Sequence, residues 1–323
     1  MASSPPVSVP HPGSKKRRPG LLRFPEDRRS LGVIATYFAV LTAGYLVPVG
    51  WPGRIGIAAL LCFLSFTCAV ITHNTIHAPV FRSRRLERLL HVALTLTYGH
   101  PVAMFVPGHN LSHHRFTQTD RDAMRTSKAR FRWNLLNQLF FSALVSSSVM
   151  KGNLEYAGHI RRHDPPAFRN LMLQTVVYVS FVVGLLILDP LLFLLFVLIP
   201  HQYAAWGIMG VNFFQHDGCD PNHRVNHSRN FVGRFVNYLL FNNGYHGAHH
   251  MYPTVHWSKL PEVHALKVRP EIHPSLDRTD FLAYLVRTYI YPGRRLDYLG
   301  QPVVLGEPEE DRSWLADAAA QPR

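Results

Sequence analysis

Four stretches of this chain, residues 31–49, 55–71, 171–188 and 191–211, contain no Asp, Glu, Lys or Arg. Each is about as long as a helix must be to cross the hydrocarbon core of a bilayer. Inside that core every backbone N–H and C=O has to be satisfied within the protein, so these stretches predict helices. Trp51-Pro52-Gly53 separates the first two and Asp189-Pro190 the last two, turns short enough to make two helical hairpins. The composition agrees, with 47% hydrophobic and only 17% charged residues. The excess of 34 Lys+Arg over 20 Asp+Glu comes with no helix-turn-helix, zinc-finger or aromatic RNA-binding pattern, so no nucleic-acid partner is expected.

The placement of the basic residues suggests a topology instead. Both turns are nearly free of them, whereas the N-terminal stretch, with Lys15-Lys16-Arg17-Arg18, and the connection over residues 82–169 are rich in them. By the positive-inside rule both termini and that connection face the cytoplasm. Two weaker apolar stretches, 89–105 and 133–150, are flanked on both sides by arginines such as Arg84, Arg85, Arg125, Arg130 and Arg132. They are expected to lie along the cytoplasmic interface. If one of them crossed alone, the histidine clusters described next would fall on opposite faces.

Histidines recur at metal-ligand spacing. His73 and His77 are four apart, His109 and His113 repeat the spacing with His114 adjacent, Asn212 and His216 repeat it again, and His246, His249 and His250 close the series. On a helical turn such spacings bring side chains to one side, and the last triplet is expected to converge on one point. With the topology above, nine histidines and an asparagine collect at one membrane face. A zinc hydrolase would need three ligands and often His-Glu-x-x-His, but no glutamate lies in any of these clusters. Nine imidazoles suit two ions, and zinc, copper, nickel and iron all remain open on ligand type. A membrane carrier with histidines lining a path is disfavoured, because the spans are clean apart from His201 and Gln202.

The order His-x-x-x-His, His-x-x-x-His-His, Asn-x-x-x-His, His-x-x-His-His resembles the membrane-bound fatty acid desaturases. So do Arg115-Phe116-Thr117, Asn243-Gly244-Tyr245, Pro253, Trp257, Leu260-Pro261-Glu262 and His264. The likeness covers residues 35–270. It implies a non-haem di-iron centre that uses O2 to attack an unactivated methylene of an acyl lipid. On that resemblance His73, His77, His109, His113, His114, His216, His246, His249 and His250 are iron ligands, and Asn212 holds a metal-bound water. Electrons would come from a separate ferredoxin or cytochrome with its reductase. The same arrangement serves desaturation, the first expectation, or hydroxylation of a fatty acid or carotenoid, or decarboxylation to a terminal alkene.

The chain departs from the pattern at Asn74, where many members have Asp, so an orienting carboxylate is sought in Asp217 or Asp120. His223 and His227 match no ligand position and are read as a loop pair. The three cysteines, Cys62, Cys68 and Cys219, imply no disulfide framework. The expected organisation is all-α and integral to the membrane: four transmembrane helices in two hairpins, under a cytoplasmic helical cap that holds the di-metal site. Residues 1–30 are expected as a basic disordered tail, 31–300 as the membrane domain, with an amphipathic interfacial helix after His273, and 301–323 as a polar tail.

Overall fold

The protein is described here from a computed structural model, over residues 20–315. It is mostly helical, with one short parallel pair of strands, β1 (Asn230–Phe231) and β2 (Asp277–Arg278). Among the described residues four helices are long and apolar enough to cross a membrane. They are α1 (Arg28–Leu46), α2 (Trp51–His77), α6 (Pro165–Leu188) and α7 (Pro190–His216). Their starts are written in the sequence. Pro occupies the first turn of α2, α6 and α7, where no N–H is needed. The Asp164 side chain caps α6 by accepting from the Ala167 amide at 3.1 Å, and Asp189 caps α7 by accepting from the Leu191 and Leu192 amides at 2.9 Å.

α2 and α7 pack together as the centre of the molecule, with α1 against α2. Their shared core holds Tyr37, Leu41, Leu61, Cys68, Ala69, Phe196 and Ala204, all buried. α6 keeps Val176, Val179, Val183 and Ile187 exposed, an apolar outer face of the kind that lipid covers.

The segment expected along the interface over 89–105 does something else. α3 (Arg84–Tyr98) and α4 (Val102–Phe116) are bent by 84° at the break between them. Gly99 ends α3 at φ 90°, and a Cβ there would lie 2.5 Å from His201 on α7. Both ends of the pair return to one place: α3 begins seven residues after His77, and His77 lies against His109 and His114 of α4, with ring centroids 5.2 and 4.7 Å apart. The pair is thus sharply bent rather than one straight segment. The second weak stretch becomes the first half of α5 (Asn134–His163), which packs on α7. The amphipathic stretch after His273 contains a short helix, Phe281–Ile290, with Tyr284 and Tyr289 turned inward.

The expected tails reach beyond the described residues, 1–19 and 316–323 lying outside them. The parts that are described pack on the body. Asp27 is buried; its carboxylate accepts from Trp257 Nε1 at 3.0 Å and lies 3.1 Å from His256 Nε2, because an apolar pocket leaves that charge no water to use. At the other end Asp311 accepts from Lys128 Nζ at 2.9 Å and pairs with Arg125, and Trp314 is buried beside Gly152.

Candidate metal centre

All nine histidines singled out in the sequence come together, but as two groups. His73, His77, His109, His114 and His249 form one, and His113, His216, His246 and His250 the other. Within each group the ligand nitrogens lie within 4.8 Å of one another.

Helix winding decides who joins which group. Residues Pro107–His113 are wound as a π-helix, whose looser turn brings residues five apart over each other. His109 and His114 accordingly meet, with Nε2 atoms 3.0 Å apart, while His113 points to the second group. The expectation that the last triplet converges on one point is corrected in the same way. His246–Met251 is an α-helix, so His246 and His250, four apart, share a face and His249 projects to the other group. His249 Nε2 lies 3.1 Å from His114 Nε2.

The donor set suits cations. His216 Nδ1 donates to the His227 carbonyl at 3.0 Å, which leaves its Nε2 as a lone pair. That atom faces both His246 Nε2 at 2.8 Å and His250 Nε2 at 3.2 Å. One lone pair cannot serve as hydrogen-bond acceptor for two imidazoles as well as a shared cation can hold all three. His113 Nε2 and His77 Nε2 are buried with no hydrogen-bond partner, a costly state that a metal ion relieves. Burial first, and the neighbouring imidazoles second, hold His246, His249 and His250 well below the ordinary histidine value. All three are thus neutral at neutral pH, the form in which an imidazole can bind a metal.

The groups that orient these imidazoles differ from those expected. His113 Nδ1 is 2.9 Å from Asp122 Oδ2, and both side chains are fully buried. Asp122 also accepts from the Gln118 amide at 2.9 Å and the Met124 amide at 2.8 Å. Burial alone would raise this carboxyl, but His113 and those amides outweigh it and hold its pKa below the usual value. Asp120 instead pairs with Arg312, and Asp217 is engaged by Arg295 Nε at 2.9 Å. Asn74 replaces the missing carboxylate itself, since its Oδ1 lies 3.3 Å from His73 Nδ1. Of the loop pair, the His227 carbonyl accepts from His216 and the His227 ring lies against that of His250, centroids 5.6 Å apart; the His223 ring accepts from the Val225 and Asn226 amides. Asp122 has the same residue type as its rejected neighbour Asp120, and only the loop's path tells them apart.

Other single histidines found structural partners. His201 Nε2 lies 3.1 Å from both the Tyr37 hydroxyl and the Leu96 carbonyl; His264 Nε2 comes within 3.0 Å of Asp277 Oδ1 without the alignment of a hydrogen bond.

A cavity of about 260 Å³ adjoins the histidines. His73, His109, His246 and Asn212 contribute to its lining, together with Phe105, Met124, Val149, Ile208, Met209 and Val211. Asn212 Nδ2 donates to the Met124 carbonyl at 3.2 Å. It stands one turn before His216.

Membrane-length helices, nine clustered imidazoles at one end of them and an apolar cavity alongside define a membrane protein with a metal site that acts on an apolar molecule. The chain belongs to the fatty acid desaturase family, which it matches over residues 21–281, and is therefore an oxidoreductase that desaturates lipid. It is similar to the sphingolipid delta(4)-desaturase DES1-like protein of Arabidopsis thaliana, 24% identical over 305 residues, 86% of this chain and 85% of that protein.

Proposed function

We propose that the protein is an O2-dependent desaturase of an acyl lipid chain, with one iron ion in each histidine group. The observation that supports this most is the apolar cavity meeting both groups at once, through His73 and His109 of one and His246 of the other. His73, His77, His109, His114 and His249 would hold one ion, and His113, His216, His246 and His250 the other. Asn212 would reach the second through water. When bound, the iron pair supplies activation of O2 and removal of hydrogen from an unactivated methylene.

The chain's own residues do the rest. Asn74, Asp122 and the His227 carbonyl fix the orientation of three imidazoles. The apolar walls hold a saturated chain against the site and keep bulk water from it. Taking two hydrogens from the chain while O2 becomes two waters requires two more electrons and two protons. A separate ferredoxin or cytochrome with its reductase would deliver the electrons at a basic face. The name of the Arabidopsis relative brings a sphingolipid chain within the range of acyl lipids proposed.

In the membrane, α1 with α2 and α6 with α7 would form two hairpins, with the histidine centre and both termini on the cytoplasmic side. The concentration of arginines in the connection over 82–169 supports that side. Residues 31–300 would be the desaturase body, strapped by the flanking stretches.

Mass spectrometry of lipids from a host expressing the protein, beside one expressing His249→Ala, tests the function. An acyl species lacking two hydrogens is expected only with the unchanged protein, and the variant is expected to bind less iron. A product with an added oxygen, or a shortened terminal alkene, would overturn desaturation.

A further inference from the structure

Arg229 is a buried cation, 4% exposed, beside the second histidine group. Its Nη1 donates to the Phe214 carbonyl at 2.7 Å and to the Asp217 carbonyl at 3.0 Å, on either side of His216 in the last turn of α7. Its amide donates to the Gln215 carbonyl at 2.6 Å. The same segment also reaches the helix of the last triplet. Asn230 Oδ1 accepts from the Gly247 amide at 2.8 Å, and a Cβ on Gly247 would lie 3.3 Å from both Asn230 Oδ1 and Ser228 Oγ. Residues 227–230 therefore clip together the two helices that supply His216, His246 and His250.

Carbonyls and the Tyr284 ring, 4.9 Å from the guanidinium carbon, hold this cation. Among the described residues no carboxylate forms an ion pair with it, since Asp217 gives its side chain to Arg295. Asp217 and Arg295 cancel, so one positive charge is left beside His216, in a place where charge is costly to bury. On another ligand of the same group, His113, stands the opposite charge, the Asp122 carboxylate. The first group differs, its His73 meeting the neutral amide of Asn74. Resting on the reading of one iron ion in each group, we propose that Arg229 is a positioning residue for the four-histidine ion: it clamps the turn that presents His216 and offsets the charge of Asp122, so that this ion takes up an electron more readily. A carboxylate near an ion favours its oxidised form and a cation the reduced one. Lysine would keep the charge but lose the planar, fixed donors that grip the carbonyls.

The test uses the full chain in detergent, loaded with iron. Competition with a chelator reads how firmly each ion is held, and Mössbauer spectra along a reductive titration read the one-electron reduction of each. His216→Ala identifies the signal of the four-histidine ion. Arg229→Met is expected to weaken retention of that ion about 10–100-fold. It is also expected to lower the equilibrium constant for its reduction about tenfold, the order of one unit charge acting through a protein interior, with the five-histidine ion shifted less. Arg229→Lys is expected to weaken retention while holding the reduction equilibrium within about threefold. A merely structural role would move retention alike in both variants and leave reduction of the bound ions where it was. Should the melting temperature show that Arg229→Met does not fold, Arg229→Gln, neutral but able to donate, reads the same equilibria. Retention and reduction both unchanged in the neutral variant, or reduction shifted equally in the lysine variant, would overturn the assignment. Two ions that take up no electron in the unchanged protein would overturn the iron reading and the charge role with it, and retention would then decide on the clamp.

Discussion

At the scale of single residues, the centre is set by the partners of the imidazoles as much as by the imidazoles. Asp122 fixes one nitrogen of His113 so that the other is free to bind. Asp122→Asn is expected to weaken metal binding about 10–100-fold, measured as retention against a competing chelator. Asp120→Asn removes only a partly exposed pair with Arg312 and is expected to change stability by less than about 0.5 kcal/mol. The two aspartates are two positions apart, and their different fates show how little residue type says about the second layer of a site. Acidity should act through the ligands too. His246, His249 and His250 are held below their ordinary value of 6.5, so below that pH the unfolded chain takes up protons that the folded chain refuses. Their contribution to stability is full above 6.5 and is lost as pH falls below it. The melting temperature of metal-free protein in detergent is expected to drop between about pH 7.5 and pH 5.5.

At the scale of elements, winding and turns sort the ligands. His109 joins His114 rather than His113 because α4 is wound as a π-helix there. A spacing of four, read with ordinary helical geometry, pairs the wrong residues. The bend that carries α4 back depends on Gly99, at φ 90° and against His201. Gly99→Ala is expected to cost about 1–3 kcal/mol, seen as a lower melting temperature. With the bend relaxed, His109, His113 and His114 would shift together, so both histidine groups should lose metal in parallel.

At the scale of the whole molecule, the two terminal stretches close the centre from outside. Arg125 is only 3% exposed, lies three residues after Asp122 and is neutralised by Asp311, with Lys128 sharing the same carboxylate. Asp311→Ala leaves that cation buried without its partner. Because Asp311 is itself partly exposed, the expected loss is about 1–3 kcal/mol rather than the full cost of breaking a buried pair. Limited proteolysis should then cut within residues 118–130 faster than in the unchanged protein. Arg295 acts on the same loop, donating to the Thr126 and Ala129 carbonyls as well as to Asp217. Neither arm was legible in advance, because a polar, acidic stretch after the last apolar element reads as a tail until the basic loop it pairs with is placed beside it.

The sequence by itself determined the four long apolar helices, their caps and the nine histidines. Hydrophobic length and ligand spacing are local quantities, and the bilayer and the metal each impose a simple rule on them. Only the tertiary structure decided which nitrogens face each other, that α3 and α4 meet at a sharp bend, and that Asp122 rather than Asp217 orients His113. Those depend on distances between residues far apart in the chain, and no local rule contains them.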